Sequence, residues 1–268
     1  MTVAQLHARE AYQAFAPHYD AFTAHHDYPG WTAALEGLAR AAGLRGRRLL
    51  DVACGTGKSF LPFLERGYEV TACDLSPAMA AIAARKADGR ARVEVLDMRA
   101  LPRLGAFDLV CCLDDGVNYL HGADELVAAF ASMRRNLDAA GVLVFDANTL
   151  RAYRTFFASA VVVQDERRVL VWDGRTPDTL GPGEVAEAEL LALERGEGEW
   201  WTRTRSLHRQ RHHPEAAIRD ALRTAGFGWH TAYGMQIDGT VTEGFEELAN
   251  SKAVYIARAG APEPEEGR

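Results

Sequence analysis

Lysine is nearly missing from this chain. Of 30 basic residues among 268, lysines stand only at Lys58, Lys86 and Lys252, and the rest are arginine. That scarcity reads as coding bias and not as function. Positive charge is not in surplus either: 37 acidic residues outweigh the 30 basic ones and leave a formal net charge of −7. Such a balance offers no electrostatic footprint for nucleic acid. Cysteine is sparse, and Cys54, Cys73, Cys111 and Cys112 show no CxxC or Cys-His spacing that would suggest zinc. Each falls in or beside an apolar run, as reduced core cysteines of a cytoplasmic protein do. Long apolar runs are absent too. No stretch is long enough to span a bilayer, and the N-terminal segment, with Glu10 and several histidines, does not read as a signal peptide. Hydrophobic content of 48% and charged content of 25% are ordinary for a globular protein.

What is there is order. Residues up to about 45 read as a helical cap, with Ala11, Phe15 and Tyr19 at helical spacing and a second helix through Trp31, Leu35 and Leu38. From residue 47 strands and helices alternate: strand to 53, helix 58–66, strand to 73, helix 77–86, strands 92–96 and 107–113, helix 124–137, strand 142–147. That alternation predicts a parallel sheet with helices on both faces. After residue 151 the pattern changes to strands at 161–163, 168–171, 185–193 and 199–211, separated by Gly-rich turns. We expect an antiparallel insertion over 151–212, with Trp172, Trp200 and Trp201 as apolar wall. The core then resumes over 213–259 with a helix at 214–225 capped by Gly226 and strands at 228–236 and 252–258. The tail, 260–268, reads as disordered.

The segment Asp51-Val52-Ala53-Cys54-Gly55-Thr56-Gly57 is an apolar strand ending in a tight glycine turn, and a second strand ends at Asp74. Strand, glycine turn, helix and strand with a terminal acid is how a doubly wound sheet holds a nucleoside: the glycines admit the ligand to the backbone and the acid accepts hydrogen bonds from ribose hydroxyls. A dinucleotide fingerprint needs a third glycine where Phe60 stands, and a phosphate-binding P-loop needs one at Val52. Two further strand ends follow, Leu96-Asp97-Met98-Arg99 and Leu113-Asp114-Asp115, with Asn118 and Tyr119 just beyond.

These motifs resemble those of the class I S-adenosylmethionine-dependent methyltransferases, in the small-molecule branch that includes amino-sugar N-methyltransferases and glycine N-methyltransferase. The resemblance covers roughly residues 10–150 by motif. It implies an α/β fold: a Rossmann-like, doubly wound, mostly parallel seven-stranded sheet with an inserted antiparallel β lid and an N-terminal helical cap. It implies S-adenosyl-L-methionine as cofactor, held by Tyr12, Tyr19, Asp51, Ala53, Gly55, Thr56, Gly57, Asp74, Leu75, Met79, Asp97, Met98 and Leu113. In that family the acid after the third strand accepts from the adenine amino group, the next residue packs on the ring, and the aromatic N-terminal segment folds over the cofactor.

The implied reaction is in-line methyl transfer to an oxygen or nitrogen of a small molecule, with Asp114, Asn118, Tyr119 and His18 as candidates for handling the acceptor's proton. For the other histidines, among them His25, His26, His121, His208, His212 and His213, packing or surface roles weigh more. Asp114, Asp146 and Asn148 are similar to the metal site of catechol-type enzymes, but Ala147 separates an acid and amide that are adjacent there, so we expect no metal. Alternating Arg203, Arg205, Arg209 and Arg211 read as the solvated face of a strand. A nucleic-acid methyltransferase acting on base amino groups would want an Asn/Asp-Pro-Pro-aromatic motif, which the chain lacks. The remaining alternatives are a non-catalytic cofactor-binding protein and, further off, an NAD-dependent oxidoreductase. We expect a monomer or homodimer that is cytoplasmic and binds neither membrane nor nucleic acid.

Overall fold

The chain was studied as a computed structural model that describes residues 3–198, 200–236 and 238–260. The expected tail lies almost wholly outside the described residues. The order opens with α1 (Val3–Phe22) and α2 (Tyr28–Ala41), then β1 (Arg48–Val52), α3 (Leu61–Glu65), β2 (Glu69–Asp74), α4 (Pro77–Ala87), β3 (Ala91–Val95), β4 (Phe107–Cys112), α5 (Ala123–Asn136) and β5 (Leu137–Asn148). It continues with α6 (Leu150–Thr155), β6 (Ala160–Gln164), β7 (Arg168–Gly174), β8 (Val185–Arg195), β9 (Trp201–Arg211), α7 (Glu215–Thr224), β10 (Trp229–Met235), β11 (Val241–Glu243) and β12 (Lys252–Arg258).

The large sheet runs β11-β10-β12-β5-β4-β1-β2-β3. Strands β1 to β5 are parallel, and β12 and β10 join antiparallel. It therefore has eight strands where seven were expected; the addition is the three-residue edge strand β11, too short to leave a periodic signal. Strands β1 and β4 are buried along nearly their whole length, because helices cover both faces of the parallel part. On one face Leu50, Val110 and Phe145 pack against Phe130 and Met133 of α5 and Leu222 of α7. On the other, Leu49, Leu109 and Val144 meet Leu35 of α2, Phe63 of α3 and Ala83 of α4. From β1 the chain winds one way to β3 and, through β4, the other way to β5. The crevice at that reversal, above the carboxyl ends of β1 and β4, is where open α/β sheets bind ligands.

A separate antiparallel sheet, β6-β7-β8-β9, stands beside the core. Its buried face, with Leu170, Trp172, Ala186, Ala188 and Leu190, forms a third apolar cluster with Phe15 and Phe22 of α1 and Tyr153 of α6. Trp172 is 5% exposed and packs in that cluster, but Trp200 and Trp201 are 82% and 48% exposed at the β8–β9 hairpin end, and none of the three lines the pocket in the crevice. Other departures are local. The helix expected at 58–66 shortens to α3 because residues 55–60 are taken up by the turn. Strand β5 begins at Leu137, with a register shift against β4 between Phe107 and Leu109. The insertion's strands fall within one to a few residues of those expected, and Gly226 follows α7 at φ +91° as a C-terminal glycine should. No helix among the described residues is long and apolar enough to cross a membrane.

Candidate active site

The glycine turn is built by backbone freedom at two positions with different reasons. Gly55 has φ +54° and a Cβ there would meet nothing within 4 Å, because it faces an open pocket. Gly57 has φ +90°, and a Cβ would strike the Phe60 ring at 2.9 Å. Phe60 is fully buried, so the residue that replaces a dinucleotide motif's third glycine is a core anchor. Ala53, which precedes the turn, also sits in the left-handed region at φ 57°, a conformation that costs roughly 1–2 kcal/mol outside glycine. Asp74 holds the turn from β2: its Oδ2 accepts from the Gly55 N–H at 2.9 Å and its Oδ1 from the Ser76 N–H at 2.8 Å. Burial lifts its carboxyl to about 6, against the lowering pull of those two donors.

Asp51, at the end of β1, is 1% exposed. Ser59 donates to its Oδ2 at 2.5 Å, while Oδ1 is buried with no partner. Burial first, opposed by Ser59 and reinforced by Asp74, raises its carboxyl to about 7. An orphaned carboxylate oxygen beneath a glycine turn fits the ammonium of an amino-acid moiety, directly or through water.

One pocket gathers most of the expected cofactor residues: Tyr12, Tyr19, Ala53, Gly55, Asp74, Leu75, Asp97, Met98 and Leu113, with Asp114 and Tyr119. It also takes in Tyr28, Lys58, Ser76, Arg99 and Gly116, which the motifs did not single out. Asp51, Thr56, Gly57 and Met79 lie behind the lining. Thr56 donates to Asp20 of α1 at 2.6 Å, and Met79 is fully buried in α4. Asp97 is engaged by Arg99, whose Nε and Nη2 lie 3.0 and 2.6 Å from its two oxygens; Arg99 also meets Glu125. The cap is pinned over this pocket. Gln13 accepts from the Ala78 N–H at 3.1 Å, Lys86 pairs with Asp20 at 2.5 Å, and Lys58 donates to the Thr23 carbonyl at 2.6 Å.

At the mouth, Asp114 and Asp115 both adopt positive φ, 61° and 55°. Their N–H groups donate to Asp146 at 2.8 and 2.6 Å, and Lys252 lies 3.1, 2.5 and 3.1 Å from Asp114, Asp115 and Asp146. Tyr19 and Tyr28 donate to the other oxygen of Asp114 at 2.7 and 2.9 Å. Burial alone would raise Asp114, but Lys252, with Tyr19, His26 and Tyr28, holds it well below the usual carboxylate range. Lys252 was not legible from the motifs. The signal that would find it is lysine scarcity itself, since Lys58 and Lys86 tie the core to the cap and Lys252 gathers the acids at the mouth.

The candidates for proton handling separate. Tyr119 accepts from the Tyr12 hydroxyl at 2.9 Å and lies 3.0 Å from His208 Nδ1, whose other nitrogen is 3.0 Å from Ser206. Burial lowers His208 to about 4, so its ring is neutral near pH 7. Asn118 is fully buried with both ends spent, accepting from the Asn148 N–H at 2.9 Å and donating to the Arg211 carbonyl at 2.9 Å. The structure gives it a fastening task. His18 is buried outside the pocket lining, with Glu194 and Arg168 as its charged neighbours, and does not reach the crevice.

A sheet with this reversal, an acid after each of its first strands and a glycine turn open to a pocket define a nucleoside-binding enzyme core. The comparisons carry that further. The profile of a methyltransferase domain matches residues 49–141. The chain is 31% identical over 223 residues to "Putative methyltransferase YqeM" of Bacillus subtilis (strain 168), covering 82% of this chain and 87% of that protein. It shares its fold with an S-adenosylmethionine-dependent methyltransferase from Clostridium acetobutylicum ATCC 824, TM-score 0.75 at 22% identity over 92% of this chain and 98% of that one. It is also similar to the sugar N-methyltransferase KedS8 from Streptoalloteichus sp ATCC 53650, TM-score 0.69 at 26% identity over 90% and 92% of the two chains. The chain belongs to the S-adenosylmethionine-dependent methyltransferases.

Proposed function

We propose that the chain methylates an oxygen or nitrogen of a small molecule in the cytoplasm, in secondary metabolism, with no nucleic acid as acceptor. The observation that carries this reading is the lining of the pocket. One continuous space joins the nucleoside motifs to a rim of tyrosine hydroxyls, Tyr12, Tyr19, Tyr28 and Tyr119, around Asp114. The likeness to a sugar N-methyltransferase supports it.

S-adenosylmethionine supplies an electrophilic methyl on a sulfonium. Asp74 would hold the ribose, Asp97 and Met98 the adenine, and Asp51 with the Gly55 turn the amino-acid end. The cap, backed by the β6–β9 sheet, would exclude water from the reacting atoms, and alignment with desolvation would supply most of the acceleration. Where the acceptor carries a proton, the Tyr119 hydroxyl would take it while passing its own to Nδ1 of the neutral His208 ring, whose Nε2 is held by Ser206. Asp114 is ill suited as base, since Lys252 and two phenols stabilise its anion.

The test is release of the demethylated cofactor from a panel of small amines and hydroxyls, amino sugars included. We expect turnover on at least one. Heat stabilisation by the cofactor with no turnover on any member would favour a non-catalytic binding protein.

A further inference from the structure

Lys252 is the first residue of β12, registered opposite Asn148 of β5. Its side chain is 15% exposed, and it reaches three carboxylates from two neighbouring strand ends. We propose that Lys252 is a positioning residue for methyl transfer: its ammonium fastens Asp114, Asp115 and Asp146 together and so fixes the left-handed turn that hands Asp114 to the cap tyrosines. The proposal rests on the reading of this crevice as the cofactor pocket.

The turn is held against its own preference. Two successive non-glycine residues at positive φ are strained, and such strain persists only where the surroundings over-determine it. Here they do so from both sides. Asp146 takes the two backbone N–H groups, and Lys252 takes the two side chains. The remaining oxygen of Asp114 is thereby aimed at Tyr19 of α1 and Tyr28 of α2. An unbroken line of hydrogen bonds joins β12 to both cap helices across the mouth of the pocket. Lys252 thus occupies the place a cation would take among acids at these strand ends.

Charge makes the device necessary. Three buried carboxylates cannot all stay ionised without a counterion, and even beside Lys252 burial and their mutual repulsion lift Asp115 to about 6 and raise Asp146. Burial by itself would lower Lys252, and the three acids overturn that and hold its proton firmly. The groups facing the cluster are Tyr12 and Tyr19 of α1, His26 and Tyr28 at the start of α2, Lys58 of the glycine turn, Tyr119 beyond β4 and Tyr153 of α6. Gln210 of β9 adds a neutral donor to Asp115. Lys58 and His26 stand off from the carboxylates, so Lys252 is the cation in direct contact.

The test uses Lys252→Met, which keeps the stem and removes the charge, with S-adenosylhomocysteine binding measured by calorimetry from pH 5.5 to 8.5. In the variant the closed pocket favours protonated acids. Its affinity relative to wild type should therefore fall as pH rises, from within about threefold at pH 5.5 to roughly tenfold or more below wild type at pH 8.5, one pK unit being a factor of ten. Asp115→Asn added to Lys252→Met removes one negative charge for the lost positive one and should restore most of the affinity at pH 8.5. A structural role of the stem alone predicts a deficit that is the same at every pH and is not relieved by Asp115→Asn, and that result overturns the proposal. Should Lys252→Met not fold at pH 8.5, it should fold at pH 5.5 and the double variant at both; failure of both predictions overturns it equally. A wild-type protein that binds no S-adenosylhomocysteine at any pH refutes the reading of the pocket instead.

Discussion

Asp51 and Asp74 show how one residue type is set to two tasks by its surroundings. Both are carboxyls lifted by burial, to about 7 and about 6, in the unliganded protein. A bound ammonium beside Asp51 would pull it down again, so cofactor binding releases protons, and affinity should rise between pH 5 and 7 and level off above. Without ligand the linkage runs the other way: an acid raised above its unfolded value lends stability that is lost as pH climbs from about 4 towards 7. Calorimetry in buffers of different ionisation enthalpy would detect the released proton, and Asp51→Asn should remove most of the slope. An unchanged slope would place the proton elsewhere. Asp74→Ala should weaken product binding by about 1.5–3 kcal/mol, as for hydrogen bonds to a charged group. The structure adds that this variant also loses about 1–3 kcal/mol of stability, because two backbone N–H groups are left unpaired. Asp74→Ala with unaltered affinity would refute the ribose assignment. The strand-end acids Asp51, Asp74, Asp97 and Asp114 were legible in the sequence because each closes an apolar run. Lys252 was not, because its partners lie more than a hundred positions away and no local pattern encodes them.

At the scale of elements, strands were read well and turns poorly. Strands β1, β2 and β4 are near-continuous apolar runs, which is what double burial demands. The turn before α3 consumes residues that helical periodicity would claim, since Gly55 and Gly57 both sit at positive φ. Gly57→Ala should therefore destabilise by on the order of 1–3 kcal/mol, through the left-handed backbone and the clash with Phe60; a melting temperature equal to wild type would show that Phe60 can yield. Alternation along β9 correctly separated an arginine face from the other. What the pattern did not carry is the work of the buried face: Ser206 and His208 end on Tyr119, and Gln210 reaches Asp115 and Asn148. Tyr119→Phe removes the hydroxyl that joins Tyr12 to His208. Turnover should drop roughly tenfold, the worth of one hydrogen bond of about 1.4 kcal/mol in the transition state, with cofactor affinity nearly unchanged. A variant as active as wild type would take the proton path elsewhere.

For the whole molecule, Lys252 in place of a metal leads to a simple expectation. Turnover should survive EDTA, and added magnesium should not raise it; loss with chelator and recovery with magnesium would move Asp114, Asp146 and Asn148 into a metal site. The β6–β9 sheet cannot be treated as detachable. Phe15 and Phe22 of the cap share its apolar cluster, so replacing it with a linker would loosen the cap and with it the cofactor pocket. Trp172→Ala is the better probe of the sheet–cap cluster: thermal unfolding should show a loss of about 3–5 kcal/mol of stability, as large-to-small core changes do.

The sequence by itself determined the order of strands and helices, the parallel core and the acid-and-glycine ends of β1 and β2. All of these are written in hydrophobic period and glycine placement, which act over a few residues. Only the tertiary structure decided which candidates meet in the pocket. Tyr28 of α2 lines it, and His208 and Gln210 of β9 and Lys252 of β12 fasten the residues at its mouth, while His18 and Asn118, close in sequence to Tyr19 and Tyr119, are turned to packing and fastening. The physical reason is that burial and counter-charge, which set what a polar side chain can do, belong to the packed fold and are not encoded in any segment alone.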